Sequence, residues 1–209
     1  MGTRRRLALL ALAVVIAVLV IAVPAQAATV RSGSSQMTVG PAYTAELAAK
    51  GVDVAPVSLA TMTVKFDRKG NEYFWLRVPM KTGGTWNAST GKGTFYHSGS
   101  IRLVDPSGTP DKVFRAEGIR IIASGKNSYA MSVNYAAAAT LGVSTTYDRV
   151  TLATSNHATK ITHSGKSYRI NGVQFKLTAA GEAAVFSVLG IHLDMTKVIF
   201  STDILPVLK

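Results

Sequence analysis

A mainly β fold, an antiparallel sandwich or barrel-like domain with two short Ala-rich helices, is predicted by three observations. Apolar and polar residues alternate with a period of two in many short runs, and clusters of Gly, Asn, Asp and Ser divide those runs at close intervals. Two segments break the pattern: both are Ala-rich and both end on a Gly suited to close a helix. In chain order, PAYTAELAAKG (41–51) is the first helix. Met62, Val64 and Phe66 then alternate with Thr61, Thr63 and Lys65, as in a half-buried strand. The aromatic and β-branched EYFWLRVPM (72–80) follows after the turn-like Arg68-Lys69-Gly70-Asn71, so the two runs form a hairpin. TGGTWNASTGKG (82–93) reads as a loop. Strands are expected at 94–104, 113–123 and 127–135, then near 149–153, 158–163, 167–177 and 192–203. TAAGEAAVFSVLG (178–190) is the second helix, and AAAAT (136–140) is either a helical turn or a loose connection. MTVGPAYTAELAAKGVDV resembles FKLTAAGEAAVFSVLGIHL, which suggests two equivalent corners of one domain.

The N-terminus carries a different signal. MGTRRR precedes an unbroken apolar run from Leu7 to Val23, and Ala25-Gln26-Ala27 supplies a small-x-small exit. That order describes a secretory signal over 1–27, with an uncleaved membrane anchor as the alternative. Residues 28–36, ATVRSGSSQ, read as a short exposed leader, and 37–209 as a single β-rich domain. Export is therefore expected, with a secreted or envelope-associated destination.

Composition narrows the function. Without Arg4, Arg5 and Arg6, the exported part keeps 20 Lys and Arg against 11 Asp and Glu, a net charge of +9. Such a surplus favours anionic surroundings: a wall polymer, a membrane surface or a ligand bearing carboxylates. The bases are scattered singly and no aromatic-studded basic run forms, so nucleic acid is not an expected partner. The absence of Cys excludes disulfides, thiolate metal sites and Cys nucleophiles. SGKS at 164–167 lacks the Gly a phosphate loop needs, because Lys160 stands there. HExxH and GxSxG are also missing, and no catalytic residue is assigned. A binding protein is favoured over an enzyme.

Two of the four His recur in one phrase, HSGSIRL (97–103) and HSGKSYRI (163–170). In the first, Phe95, His97, Ile101 and Leu103 share one face, so His97 is expected on the apolar side of a continuous strand. In the second the apolar parity switches after Gly165, which implies a turn there and two strands. A His on an apolar face is commonly a hydrogen-bonded core residue; the alternative is a ring lining a ligand pocket beside a Tyr.

VPMKTGGTWNASTGKGTFYHSGSIRL resembles the central part of the Htaa domains of actinobacterial exported and surface proteins, and LTAAGEAAVFSVLG is similar to their Ala-rich late helix. The resemblance implies a β-rich extracellular domain, which in some members binds haem through a Tyr phenolate supported by the motif His. His97 is the position matching that His. The family's Tyr, counted from the Gly of its opening and aligned here on Gly40, falls near Ala48; Tyr43 lies close by. The ligand-binding candidates are accordingly His97 with Tyr43 or Tyr96, and haem or a similar flat, anionic, apolar molecule is the expected ligand. The competing expectation is a structural or adhesive protein held by charge to anionic wall polymer or lipid.

Overall fold

In the computed structural model, which describes residues 26–107, 111–138, 148–157 and 159–209, the alternating runs become thirteen strands. The N-terminal signal reading, apart from Gln26 and Ala27, lies outside the described residues. The first half comprises β1 (Ala28–Val39), α1 (Pro41–Ala49), β2 (Asp53–Ser58), β3 (Thr61–Phe66), β4 (Glu72–Pro79), β5 (Thr85–Asn87) and β6 (Lys92–Tyr96). The second comprises β7 (Gly99–Asp105), β8 (Lys112–Gly125), β9 (Ser128–Ala138), β10 (Asp148–Ser155), β11 (Lys160–Ser164), β12 (Ser167–Leu177), α2 (Ala179–Leu189) and β13 (Phe200–Leu208).

All named pairings are antiparallel. They close a ring that runs β1, β5, β6, β8, β9, β10, β12, β13 and back to β1. β1 and β12 are the corner strands: each pairs at one end with one sheet and along its length with the other. The β3–β4 hairpin extends the wall beyond β1, β11 extends it beyond β12, and β7 carries β2 off β8. Closure removes most open edges, and it wraps one core around Trp86, Phe95, Ile121, Met131, Phe175 and Ile204.

The segment 28–36 is a correction. It is the first part of β1, not a leader: Val30, Ser34 and Ser35 are buried, and Val30 stands opposite Leu208 in β13. Its Ser and Gly content reflects close backbone packing. Gly33 has a φ of +142°, and a side chain there would run into the Leu205 carbonyl of β13. β13 itself begins at Phe200, and residues 190–199 form a connection rather than the strand expected from 192.

Three smaller differences follow from tertiary context. The expected strand at 94–104 is split at His97 and Ser98, because β6 pairs with β5 while β7 pairs with β2; both lie along β8. The expected 82–93 loop contains β5, whose Trp86 is buried. β9 continues through residues 136–138, and the rest of the AAAAT segment lies outside the described residues.

Both helices form where expected. α1 starts with Pro41 at its first turn. α2 is capped by the Thr178 hydroxyl, which accepts from the Gly181 N–H at 2.9 Å, and it closes on Gly190 in the left-handed conformation. The two corners are not equivalent, since α1 leads directly to a strand and α2 does not. They are tied together instead: Glu46 of α1 accepts from the Asp194 N–H at 3.0 Å and pairs with Lys197 Nζ at 2.8 Å.

Candidate ligand-binding site

The three candidate side chains do not converge. His97 and Tyr96 share one pocket, and Tyr43 belongs to another cavity.

His97 sits at the β6–β7 break, where it forms an isolated bridge with Met80 at the end of β4. It is 2% exposed, as its parity predicted. Its Nδ1 lies 3.2 Å from the Ile119 carbonyl and its Nε2 lies 2.8 Å from the Ser35 hydroxyl. A carbonyl can only accept, so Nδ1 carries the proton and donates to Ile119, and Nε2 accepts from Ser35. Both ring nitrogens are thereby committed to β8 and β1. Burial pushes the imidazole pKa down to about 4, against the opposing pull of the Ile119 and Phe95 backbone bonds, and the ring is neutral at pH 7. This is the hydrogen-bonded core His among the two sequence alternatives. It joins β8 to β1, strands that β6 and β5 separate in the sheet.

Tyr43 is buried in α1, lining a 40 Å³ apolar cavity beneath the two helices with Leu47, Phe114 and Val185. Burial holds its phenol proton far above the ordinary range, and the Glu46 and Asp194 carboxylates add to the shift. A phenolate is strongly disfavoured there. Ala48, near which the sequence resemblance places a ligand Tyr, lines a separate 700 Å³ groove between α1 and the β3–β4 hairpin. Ala42, Ala45 and Ala48 recur every third residue and give that groove an alanine side, with Phe74 among its other lining residues and Asp53 and Glu72 also present. Haem fits none of these places as an axially ligated group: the groove lining offers no phenol, imidazole or thioether, Tyr43 resists ionisation, and the His97 lone pair is already used. Among the described residues, no group of three His, Asp or Glu side chains forms a metal site.

The pocket over His97 has a different chemistry. Its volume is 340 Å³, and Lys81, Tyr96, Arg120, Asn134 and Arg149 line it around the buried His97 and Ile119. The Arg120 guanidinium lies over the Tyr96 ring at 5.2 Å from the centroid, a cation–π contact that orients it. Arg149 reaches from β10 across β9, donating to the Ser132 hydroxyl at 3.1 Å and to the Gly118 carbonyl at 3.2 Å. Gly118 makes this possible. Its φ of +54° belongs to a bulge between Glu117 and Arg120, and a side chain there would press on Asn134 and Arg149. The same bulge presents the Ile119 carbonyl to His97. Three cations thus meet in one pocket, and no carboxylate among the described residues lines it; neighbouring Glu117 pairs with Arg115 at 3.8 Å instead.

Of the residues that line this pocket, the sequence reading named His97 and Tyr96 but not Lys81, Arg120 or Arg149. The only local trace was Gly118 interrupting an otherwise alternating run, the usual mark of a bulge.

Against known proteins, no family model matches the sequence, and no curated protein matches it either. Solved structures do match. The N-terminal domain of HtaA from Corynebacterium glutamicum superposes with a TM-score of 0.50 at 15% identity, covering 86% of this chain and 99% of that one. The chain has an HtaA-type fold. A domain-swapped dimeric variant of the C-terminal domain of HtaA from the same organism gives a TM-score of 0.44 at 18% identity, over 78% of this chain and 90% of that one. At these identities HtaA supplies the architecture alone, and the ligand chemistry rests on this chain's own side chains.

Proposed function

We propose that this HtaA-type protein is an exported, non-catalytic binding module of the cell envelope, holding its ligand by charge rather than by coordination to a metal centre. The observation that carries this reading is the pocket of Lys81, Arg120 and Arg149, which no carboxylate among the described residues lines. On a chain with 20 bases to 11 acids after the signal, such a pocket focuses an already positive field. Anionic wall polymer and anionic lipid are the partner classes. His97 serves as the pocket's rigid floor, and Tyr96 as the platform for Arg120.

Cosedimentation of the purified protein with anionic polymer and with anionic vesicles tests the reading. Binding should weaken steeply between about 50 and 500 mM salt, because exposed charge contacts are screened beyond roughly 8 Å at physiological ionic strength. Binding that ignores salt would overturn it.

A second reading, capture of a flat apolar ligand such as haem, is favoured by one feature. The 700 Å³ groove has an alanine side on α1 and an aromatic ring in its lining, a shape suited to a planar molecule held by packing. A haemin titration followed in the visible range separates packing from axial ligation.

A further inference from the structure

The pocket over His97 has a composition that narrows its ligand further, on the premise of the charge-held reading above. Its cationic groups arrive from three different strand systems: Lys81 just past β4, Arg120 from β8, and Arg149 from β10. A planar carboxylate is satisfied by one guanidinium in a two-point fork. Three cations approaching from separate directions match a tetrahedral group, whose oxygens also point in separate directions. Arg149 spends two of its five N–H donors on Ser132 and Gly118, which fixes its position and leaves the others free for a ligand. Arg120 lies over the Tyr96 face, and its guanidinium makes no hydrogen bond among the described residues. The two guanidinium groups feel one another: partial desolvation and then the charge of Arg120 hold Arg149 below its usual pKa. With no acid in the lining, that repulsion has no internal partner, and an anion between them would relieve it.

We infer that the pocket formed by Lys81, Tyr96, Arg120, Asn134 and Arg149 is a binding site for a single phosphoryl group, as carried by a phosphodiester wall polymer or a phospholipid headgroup. The group would sit above the Gly118–Ile119 bulge, accepting from Arg120, Arg149 and Lys81, with Asn134 Nδ2 and the Tyr96 hydroxyl as neutral donors.

Four probes test this: inorganic phosphate, acetate, a phosphodiester wall polymer, and vesicles of phosphatidylcholine with and without phosphatidylglycerol. Phosphate, titrated while amide NMR shifts are recorded, should saturate at one site and move the signals of Gly118, Ile119 and His97. Acetate at the same concentration should leave them in place. Arg120→Gln and Lys81→Gln should each weaken phosphate binding roughly tenfold, the size of one charge-assisted contact. These two variants matter because Arg149→Gln also breaks bonds that hold the wall. No saturable phosphate shift, or equal shifts with acetate, would overturn the assignment. If Arg120→Gln leaves vesicle binding unchanged while salt still abolishes it, the charge-held reading stands and this site falls. If phosphate binds as expected but neither vesicle nor polymer does, the site stands and the envelope reading falls. Vesicle binding that needs phosphatidylglycerol and is lost in Arg120→Gln identifies the headgroup as the source; binding to wall polymer alone identifies the phosphodiester chain.

Discussion

HSGSIRL and HSGKSYRI share their spelling and almost nothing else. At the first, His97 is sealed in the wall, with each ring nitrogen bonded to a different strand. At the second, His163 is exposed on β11 and stacks on Tyr168 across the hairpin, ring centroids 5.2 Å apart. Gly99 lies buried against Ala60, whereas Gly165 occupies the hairpin turn with a φ of +55°. Arg169 pairs with Asp203 at 2.6 Å on the surface. The lesson concerns long-range partners. A local phrase fixes which way a side chain points, but only the strands that pass beside it decide whether it becomes a cross-brace or a surface ring.

Substitution makes the contrast measurable. His97→Ala should cost about 3–4 kcal/mol in chemical denaturation, since it opens a cavity and leaves the Ser35 hydroxyl and the Ile119 carbonyl without their ring partner. His163→Ala should stay within about 0.5 kcal/mol. Equal losses would break the comparison.

Acid gives the next effect. The His97 imidazole titrates near 4 in the folded protein against 6.5 unfolded, so the unfolded chain binds the extra proton first. Stability from this group is complete above pH 6.5 and is lost as pH falls towards 4, by roughly 3 kcal/mol in all. A His97→Gln variant should lack that slope in urea titrations at pH 4 to 7. A slope unchanged by the substitution would place its origin elsewhere.

Ser35→Ala is a finer probe. It removes one hydrogen bond and leaves Nε2 buried without a donor, a loss of about 1–2 kcal/mol. A smaller effect again is expected at the hairpin: Tyr168→Ala, which ends the stacking on His163, should cost no more than about 1 kcal/mol. Thermal melts of both variants, compared with the parent protein, sharpen the ranking.

Much of this was legible in residue order. Period-two alternation gave the pairing of β3 with β4, the buried side of β6 and the turn after His163, because each depends on neighbours a few residues apart; the half-buried face expected of β3 did not follow, since Val64 and Phe66 are exposed. The two helices were marked by their Ala content and their closing Gly residues. β1 was opaque for a physical reason. Its early part is buried through the backbone contact of Gly33 with β13 and through small Ser side chains, so it shows no hydrophobic alternation. The pocket was hidden for a related one. Arg149 meets Gly118 across 31 residues, and Lys81 meets Tyr96 through a backbone bond of 2.9 Å that no motif announces. The Htaa resemblance pointed to His97, with Tyr43 merely close to the expected ligand position, and the fold places the two in different cavities.

On the proposed reading, ligand is held by charge at the Tyr96 pocket and not by axial coordination. A haemin titration of the purified protein, read from its visible spectrum, tests this. No Tyr- or His-ligated ferric band is expected, and any association should fade with salt. A ligated band that disappears in Tyr43→Phe, Tyr96→Phe or a folded His97→Gln protein would contradict it.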